Sequence, residues 1–460
     1  MVDCIITQKF QFFSQNKNIS LRFVGLIFSI MPISNKAAIS FIFVTLLIDV
    51  MGWGLIIPVM ADLVAELKHI PVNEASTYGA YLLSAFAIMQ FICAPIIGNL
   101  SDKYGRRPIL LFSLLGFGID YIIQAISPTY GLLFFGRIIA GITGASFTTA
   151  SAYIADVSPD PTSRAKNFGV IGAAFGLGFV LGPALGALLS NWGIRAPFYA
   201  AAVLCLLNCT YGYFLLPESL SKENRRDFDW KRANPFGSLK FLTRHPEIGG
   251  LALCFFLIYL GAQGVQSNWN FFTIYRFNWS EKMVGISLAV VGVLVGAVQG
   301  GLTRIVVPRL GNYKSIYLGL ALYVIGLVLF AFANQGWMMF VFLIPYCLGG
   351  ICGPSLQSVI SGEVPANQQG ELQGSLTSLM SLTTIIGPLI MNGSFAYFTS
   401  SKAPFIFPGV HFLIGAICML LGAIIAYRVL SQKPPGRMNT EGQQQTALTG
   451  QPVAPVNEAL

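Results

Sequence analysis

The residues of this chain best placed to do chemistry are a few charged and amide side chains set inside long apolar runs. Asp49 stands in FIFVTLLIDVMGWGLIIP, about a dozen residues into its run. A bare carboxylate at that depth in lipid costs roughly a few kcal/mol or more. It is therefore expected to face a cavity, where it could carry a proton or bind a cation; a structural hydrogen bond to another helix is the plainer alternative. Asp120, in LGFGIDYIIQ, has Gln124 one turn on, and Arg137 stands in FFGRIIAGITGAS. Their runs enter from opposite faces, so both residues fall in the same half of the membrane and can pair. A paired charge costs far less than two bare ones, so this is either a structural ion pair or one whose contacts change when Asp49 or Asp120 is protonated. Gln90, in AIMQFICAP, and Gln299, in GVLVGAVQG, could donate hydrogen bonds into a cavity or be satisfied within helix interfaces. Gln266, Asn268 and Asn270 are further amides at one end of their run, and Trp53 and some of the Phe could line an apolar cavity.

A second constellation is GNLSDKYGRRP, 98–108. Gly98 and Gly105 allow tight turning and close backbone approach. Asp102 could cap a neighbouring helix or pair with an arginine. Arg106 and Arg107 suit anionic headgroups and also a cytoplasmic gate. A carboxylate–arginine latch of moderate strength at a boundary between bundles could hold one conformation and release it when the bundles separate. Headgroup anchoring alone explains the basic residues but not Asp102 or the glycines. A third pattern is Gly178-x3-Gly182-Pro183-x2-Gly186-Ala187, a smooth face bent by proline. It would make a tight seam that limits leakage between moving parts.

Conventional enzyme chemistry has no support. None of the three His lies in a plausible constellation, and there is no metal-ligand cluster. Cys205, Cys209, Cys254 and Cys418 lie inside apolar segments and read as small core hydrophobes rather than a disulfide framework.

The elements that hold these residues follow from composition. Of 460 residues, 54% are hydrophobic and 10% charged, against about 25% charged in soluble domains. Apolar runs of about 20 residues define an all-α polytopic membrane protein. Twelve spans are expected at 38–60, 78–99, 108–127, 131–153, 167–190, 196–216, 248–272, 283–303, 315–333, 337–360, 371–395 and 404–427. The domains are then a lead-in 1–37, a six-helix bundle 38–216, a cytoplasmic linker 217–247, a second six-helix bundle 248–427 and a disordered tail 428–460. Within the lead-in, LRFVGLIFSIM is too short to span, and a translation start at Met31 is the favoured reading.

The net charge of +9 could suggest nucleic acid, but the basic residues sit mostly in short loops. Odd-numbered loops hold five (Lys68, Arg195, Arg276, Lys282 and Lys402), Arg137 is inside a span, and the other 22 of the 28 lie in even-numbered connections and the termini. The positive-inside rule places both termini and the linker in the cytoplasm. The halves also echo each other: YIADVSPDPTSRAKNFG with LGPALG in the first, VISGEVPANQQGELQG with IGPLIMNG in the second. Two matching halves suggest a central cavity and rigid-body rocking, hence transport.

Together these residues resemble the major facilitator superfamily, and within it the twelve-span drug:proton antiporters. Gly98, Asp102, Gly105, Arg106 and Arg107 match its loop signature, and GLGFVLGPALGA is similar to the fifth-span antiporter signature, with Ala187 where a second glycine is usual. Arg137 and Gly141 fit the fourth-span pattern, although Ala140 stands where a glutamine is common. The resemblance extends over residues 38–427 to the tetracycline efflux family, through stretches such as YGAYLLSAFAIMQFICAPIIGNLSDKYGRRPILL and GPSLQSVISGEVPANQQGELQGSLTSL. It implies a bacterial inner-membrane protein exchanging a metal–tetracycline chelate for a proton. Asp49 and Asp120 then match the proton-coupling carboxylates, and Gln90, Arg137 and Gln299 match polar positions of the translocation region. One departure bears on the substrate: Val295 stands where the family has a histidine, four residues before Gln299.

The leading expectation is proton-driven export of small amphipathic compounds. The alternatives are a proton-coupled nutrient importer on the same fold and a non-transporting receptor or scaffold. No cofactor is expected to be bound: the proton gradient supplies energy, and Mg²⁺ enters only within a chelated substrate. Expected partners are the lipid bilayer, the substrate and protons, with no nucleic acid, and the protein is expected to be a monomer.

Overall fold

The computed structural model describes residues 35–144, 146–157, 161–230, 246–364 and 369–431, together with 234, 237 and 242. The expected start at Met31 and nearly all of the tail lie outside the described residues. The helices are α1 (Asn35–Lys68), α2 (Val72–Tyr104), α3 (Arg106–Ile126), α4 (Tyr130–Thr143), α5 (Ser146–Asp156), α6 (Pro161–Leu189) and α7 (Ala196–Leu215) in the first half. The second half has α8 (Pro246–Gln266), α9 (Trp269–Phe277), α10 (Glu281–Ala297), α11 (Thr303–Ala331), α12 (Gly336–Leu348), α13 (Cys352–Gly362), α14 (Gln369–Phe398) and α15 (Val410–Ser431).

Among the described residues, eleven helical runs are long and apolar enough to cross a membrane, and one of them, Glu281–Ala331, is 51 residues long. At 1.5 Å per residue that run would extend about 76 Å, far beyond a hydrocarbon core of about 30 Å. It breaks at Gly311, whose φ of 77° is non-helical, and so supplies two crossings. Twelve transmembrane helices result, as the apolar runs predict.

Several boundaries differ from the sequence reading, each for a local reason. α1 continues to Lys68, eight residues past the expected end, because Asp62 and Glu66 lower hydropathy without stopping a helix. The expected span 248–272 divides at Ser267–Asn268. Ser267 Oγ bonds back to the Gln263 carbonyl at 2.7 Å, and Asn268 adopts a non-helical φ of −124° before α9. α9 closes on Asn278 in the left-handed region. α15 starts at Val410, since Pro404, Pro408 and Gly409 keep the preceding residues out of a helix.

Cys205, Cys254, Cys347, Cys352 and Cys418 are buried free thiols, in keeping with small core hydrophobes. The second half has an aromatic centre in which His411 is buried against Phe272, Phe395 and Phe412. The halves meet mainly where α2 lies along α14 and where α6 lies along α10. The bundle has a linker end, where residues 216–230 emerge, and a far end, which carries Lys68.

Candidate functional site

The first constellation is built within the first half, by α3 and α4. Asp120 on α3 and Arg137 on α4 form an ion pair, with side chains 0% and 6% exposed. At that burial the two charges must be mutual partners, because each alone would be strongly unfavourable. Gln124, one turn along α3, donates to Asp120 Oδ2 at 2.8 Å. Gly136 makes the space: a Cβ there would lie 2.8 Å from Asp120 Oδ1. The Arg137 guanidinium lies 5.6 Å from the Phe86 ring centre, so α2 adds a cation–π contact.

Asp49 is partly buried on α1 and lies within electrostatic reach of Tyr121 and Cys205. Gly52, three residues on, lets the Tyr121 hydroxyl approach, 2.9 Å from where a Cβ would stand. Tyr121 follows Asp120 directly, so α3 presents one residue to Arg137 and the next to α1. Gln90 donates to the carbonyl of Gly144 at 2.8 Å, satisfying the backbone where α4 gives way to α5. Gln299 stands apart from these, exposed in the second half within a π-helical turn, Val298–Leu302. Gly296, Gly300 and Gly301 beside it have open space where a Cβ would go.

The second constellation sits at the linker end. Gly105 has a φ of 108°, and its missing Cβ leaves room for the Glu218 carboxylate. Glu218 accepts from the backbone N–H of Arg106 at 2.8 Å and of Arg107 at 3.3 Å. It thereby satisfies two of the orphan donors that open α3. Arg106 pairs with Asp102 and, at 3.1 Å, with Asp156 at the end of α5. Arg107 donates to the Tyr213 carbonyl. The Arg226 backbone N–H donates to the Asp102 carbonyl at 3.1 Å, tying in the linker.

Two expectations are corrected here. The latch was expected at the boundary between bundles, but every partner just named belongs to the first half or the linker. Gly98 was expected to allow close backbone approach, yet it lies inside α2 with nothing within 4 Å of its Cβ position. Glu218 and Asp156 were not singled out from sequence. The one signal was an acidic residue directly after an apolar run, and it gains meaning only once Gly105 is known to lie beside it.

The seam residues pack α6 between two helices. On the α1 side, a Cβ at Gly178 would lie 2.8 Å from Val50 Cβ, and one at Gly182 the same distance from the Met51 carbonyl. Gly186 meets the Leu55 carbonyl, and Pro183 lies against Gly54. On the α10 side, Gly285 meets Pro183 and Ala187, and Gly292 meets Val180. Such approach leaves no room for larger side chains.

Between the halves, the described hydrogen bonds all fall between the far end and mid-depth. Asn392 on α14 donates to the carbonyls of Ser76 and Ser267, at 3.0 and 3.2 Å, and accepts from Ser267 Oγ at 2.9 Å. Asn73 donates to Thr399, Ser84 to the Ile385 carbonyl at 2.6 Å, and Asn270 to the Ile57 carbonyl at 3.0 Å. Of these, only Asn270 was marked by the sequence.

A chain with twelve crossings in two halves, buried charge in the first half and a polar closure at one end has the architecture of a membrane transporter. The Major Facilitator Superfamily model matches residues 42–388 and, in a second match, 309–459. The chain belongs to that superfamily. It is 43% identical over 388 residues to the class C tetracycline resistance protein of Escherichia coli, covering 84% of this chain and 96% of that protein. It is 40% identical over 379 residues to the class G tetracycline resistance protein of Vibrio anguillarum, covering 81% and 93%. Among solved structures, the human organic anion transporter MFSD10 superposes with a TM-score of 0.65 at 25% identity, covering 86% of this chain and 100% of that one. A bacterial homologue of the lysosomal transporter Spinster, in an inward-facing, unoccupied conformation, gives 0.67 at 14% identity over 87% and 97%. The protein is a secondary transporter and not an enzyme.

Proposed function

We propose that the protein is a proton-coupled antiporter that exports small amphipathic compounds, metal–tetracycline chelate among them, by alternating access. The observation that carries this reading is the buried Asp120–Arg137 pair in a chain 43% identical to a tetracycline resistance protein. Asp49 and Asp120 are the proton-coupling carboxylates, and Gln90, Arg137 and Gln299 belong to the substrate path. Mg²⁺ travels as part of the chelate and has no resident site. The linker end is cytoplasmic, the membrane is a bacterial inner membrane, and the working unit is a monomer.

In this reading the hydrogen bonds of Asn392, Asn73 and Asn270 shut the outer gate, and substrate enters from the cytoplasm. The Gly98–Arg107 segment, with Asp102, Gly105 and Arg106 where α2 turns into α3, stiffens the cytoplasmic rim of the first half so that it moves as one body. The seam of Gly178, Gly182, Pro183 and Gly186 lets α6 stay sealed between α1 and α10 during that motion.

The test uses everted membrane vesicles carrying an imposed proton gradient. Uptake of Mg²⁺–tetracycline that disappears in Asp49→Asn and on collapsing the gradient is the expected result. Full gradient-driven uptake by Asp49→Asn would overturn the coupling role of Asp49. Absence of uptake by folded parent protein would reject tetracycline despite the family membership, a result Val295 makes informative.

A further inference from the structure

Trp53 is a large aromatic side chain at mid-span, 39% exposed, and the reading above gives it no part. It stands one turn beyond Asp49 on α1. Its ring meets the Phe179 ring of α6 at 6.1 Å between centres, tilted by 51°. The contacts on either flank of Phe179 fix the side of α6 that carries this pair. α6 meets α1 through Gly178 and Gly182, and it meets α10 through Val180 and Ala187. Phe179 lies between those two lines of contact, so it points into the angle between α1 of the first half and α10 of the second. Leu177 and Leu181, two residues away in either direction, lie on the opposite face of the helix and are exposed there, as lipid-facing residues are. Trp53 therefore faces the space between the halves rather than the bilayer.

That space opens at this level. Toward the far end, α10 packs closely on α6: a Cβ at Gly285 would lie 2.6 Å from the Pro183 carbonyl oxygen, and one at Gly292 3.2 Å from that of Phe179. One turn beyond Gly292 toward the linker end, Gly296 has nothing within 4 Å of its Cβ position. Phe175, one turn from Phe179 in the same direction, is exposed. The described hydrogen bonds between the halves also stop at mid-depth. Trp53 and Phe179 thus cap the closed end of a gap that widens toward the linker end. Pro183 adds a polar atom there. It has no N–H for the carbonyl of Phe179, four residues earlier, which loses its helical donor beside the two rings.

We propose that Trp53 and Phe179 form a ring-binding wall of the substrate site, which takes a flat aromatic ring system carrying a cationic group. Stacking on an indole and a phenyl ring favours a planar ring over a branched chain of the same size. An indole face holds a cation better than a phenyl or phenol face does. The Asp49 carboxyl one turn away and the Phe179 carbonyl favour the same positive charge. The idea rests on reading the protein as an exporter of amphipathic compounds. It deepens that reading by naming what the cavity selects, ring planarity together with positive charge, and by making Trp53 a specificity-determining residue.

The experiment measures binding of ethidium, a planar aromatic cation, to the purified protein in lipid nanodiscs by fluorescence anisotropy, with empty nanodiscs as the blank. Tetrabutylammonium, which has the charge but no ring, is the competitor. The parent binds ethidium, and excess tetrabutylammonium displaces little of it. Trp53→Ile weakens ethidium binding about ten-fold, whereas Trp53→Phe keeps it within about three-fold of the parent. Phe179→Leu also weakens it. Trp192→Ile, which alters an exposed tryptophan at the far end, leaves it unchanged. Parental affinity in both Trp53→Ile and Phe179→Leu would overturn the wall. So would a parent that binds no ethidium, or one that binds tetrabutylammonium as tightly. If Trp53→Ile fails to fold, Phe179→Leu alone decides. Trp53-dependent ethidium binding by a parent that moves neither ethidium nor Mg²⁺–tetracycline against a gradient would sink the export reading and leave the wall standing. Transport of Mg²⁺–tetracycline with ethidium binding that ignores Trp53 and Phe179 would do the reverse.

Discussion

The Glu218 carboxylate accepts a hydrogen bond from the backbone N–H of Arg106 at 2.8 Å, setting an anion on the N-terminus of α3. The helix end and the carboxylate stabilise each other, and the contact ties the linker to the turn between α2 and α3. Replacing Glu218 by Gln is expected to weaken this tie by about 1–2 kcal/mol, a roughly ten-fold change in local opening. Trypsin should then cleave after Arg225 or Arg226 about ten times faster than in the parent. Equal cleavage rates would count against the capping role.

Gly105 and Gly98 belong to one motif but face opposite demands. Gly105→Ala forces a Cβ into the Glu218 carboxylate at a φ of 108°, and should cost about 1–3 kcal/mol. Gly98→Ala adds a methyl group in open space within a helix and should be neutral or stabilising by up to about 1 kcal/mol. Thermal unfolding in detergent separates the two, and a similar loss in both would show that the motif does not work through Gly105.

Asp120 and Arg137 stand or fall together. Arg137→Ala strands a buried carboxylate and is expected to destabilise the fold by about 3–5 kcal/mol. The double variant Asp120→Asn/Arg137→Ala should recover much of that loss in folded yield, while remaining deficient in proton-coupled transport. Single and double variants of equal stability would mean that the ion pair is not what Arg137 contributes.

Asn392 fastens α14 to Ser76 on α2 and to Ser267 where α8 ends. Asn392→Val keeps the bulk and removes the bonds, so the far end should open more often. A Ser76→Cys reporter, buried in the parent, should then react with an impermeant maleimide several-fold faster in the Asn392→Val background. An unchanged rate would indicate that the closure is held by apolar packing alone.

Twelve crossings could be read from sequence because lipid demands about 20 apolar residues per helix and leaves little else to decide. The Asp120–Arg137 pair was also readable, since two intramembrane charges at matching depth have few other ways to coexist. Glu218 was hidden because capping joins residues more than a hundred positions apart, through a glycine whose conformation must be known first. The far-end closure escaped because Ser76, Ser84 and Asn392 are ordinary polar residues until two helices meet.

The central claim is that substrate and proton move in opposite directions through one protein. Purified protein in liposomes, with a pH dye sealed in the lumen and no imposed gradient, tests it directly. Adding excess Mg²⁺–tetracycline outside should drive protons out and raise luminal pH in the parent, with no change in Asp49→Asn. Substrate entering the parent liposomes with no movement of luminal pH would contradict antiport and leave a facilitator in its place.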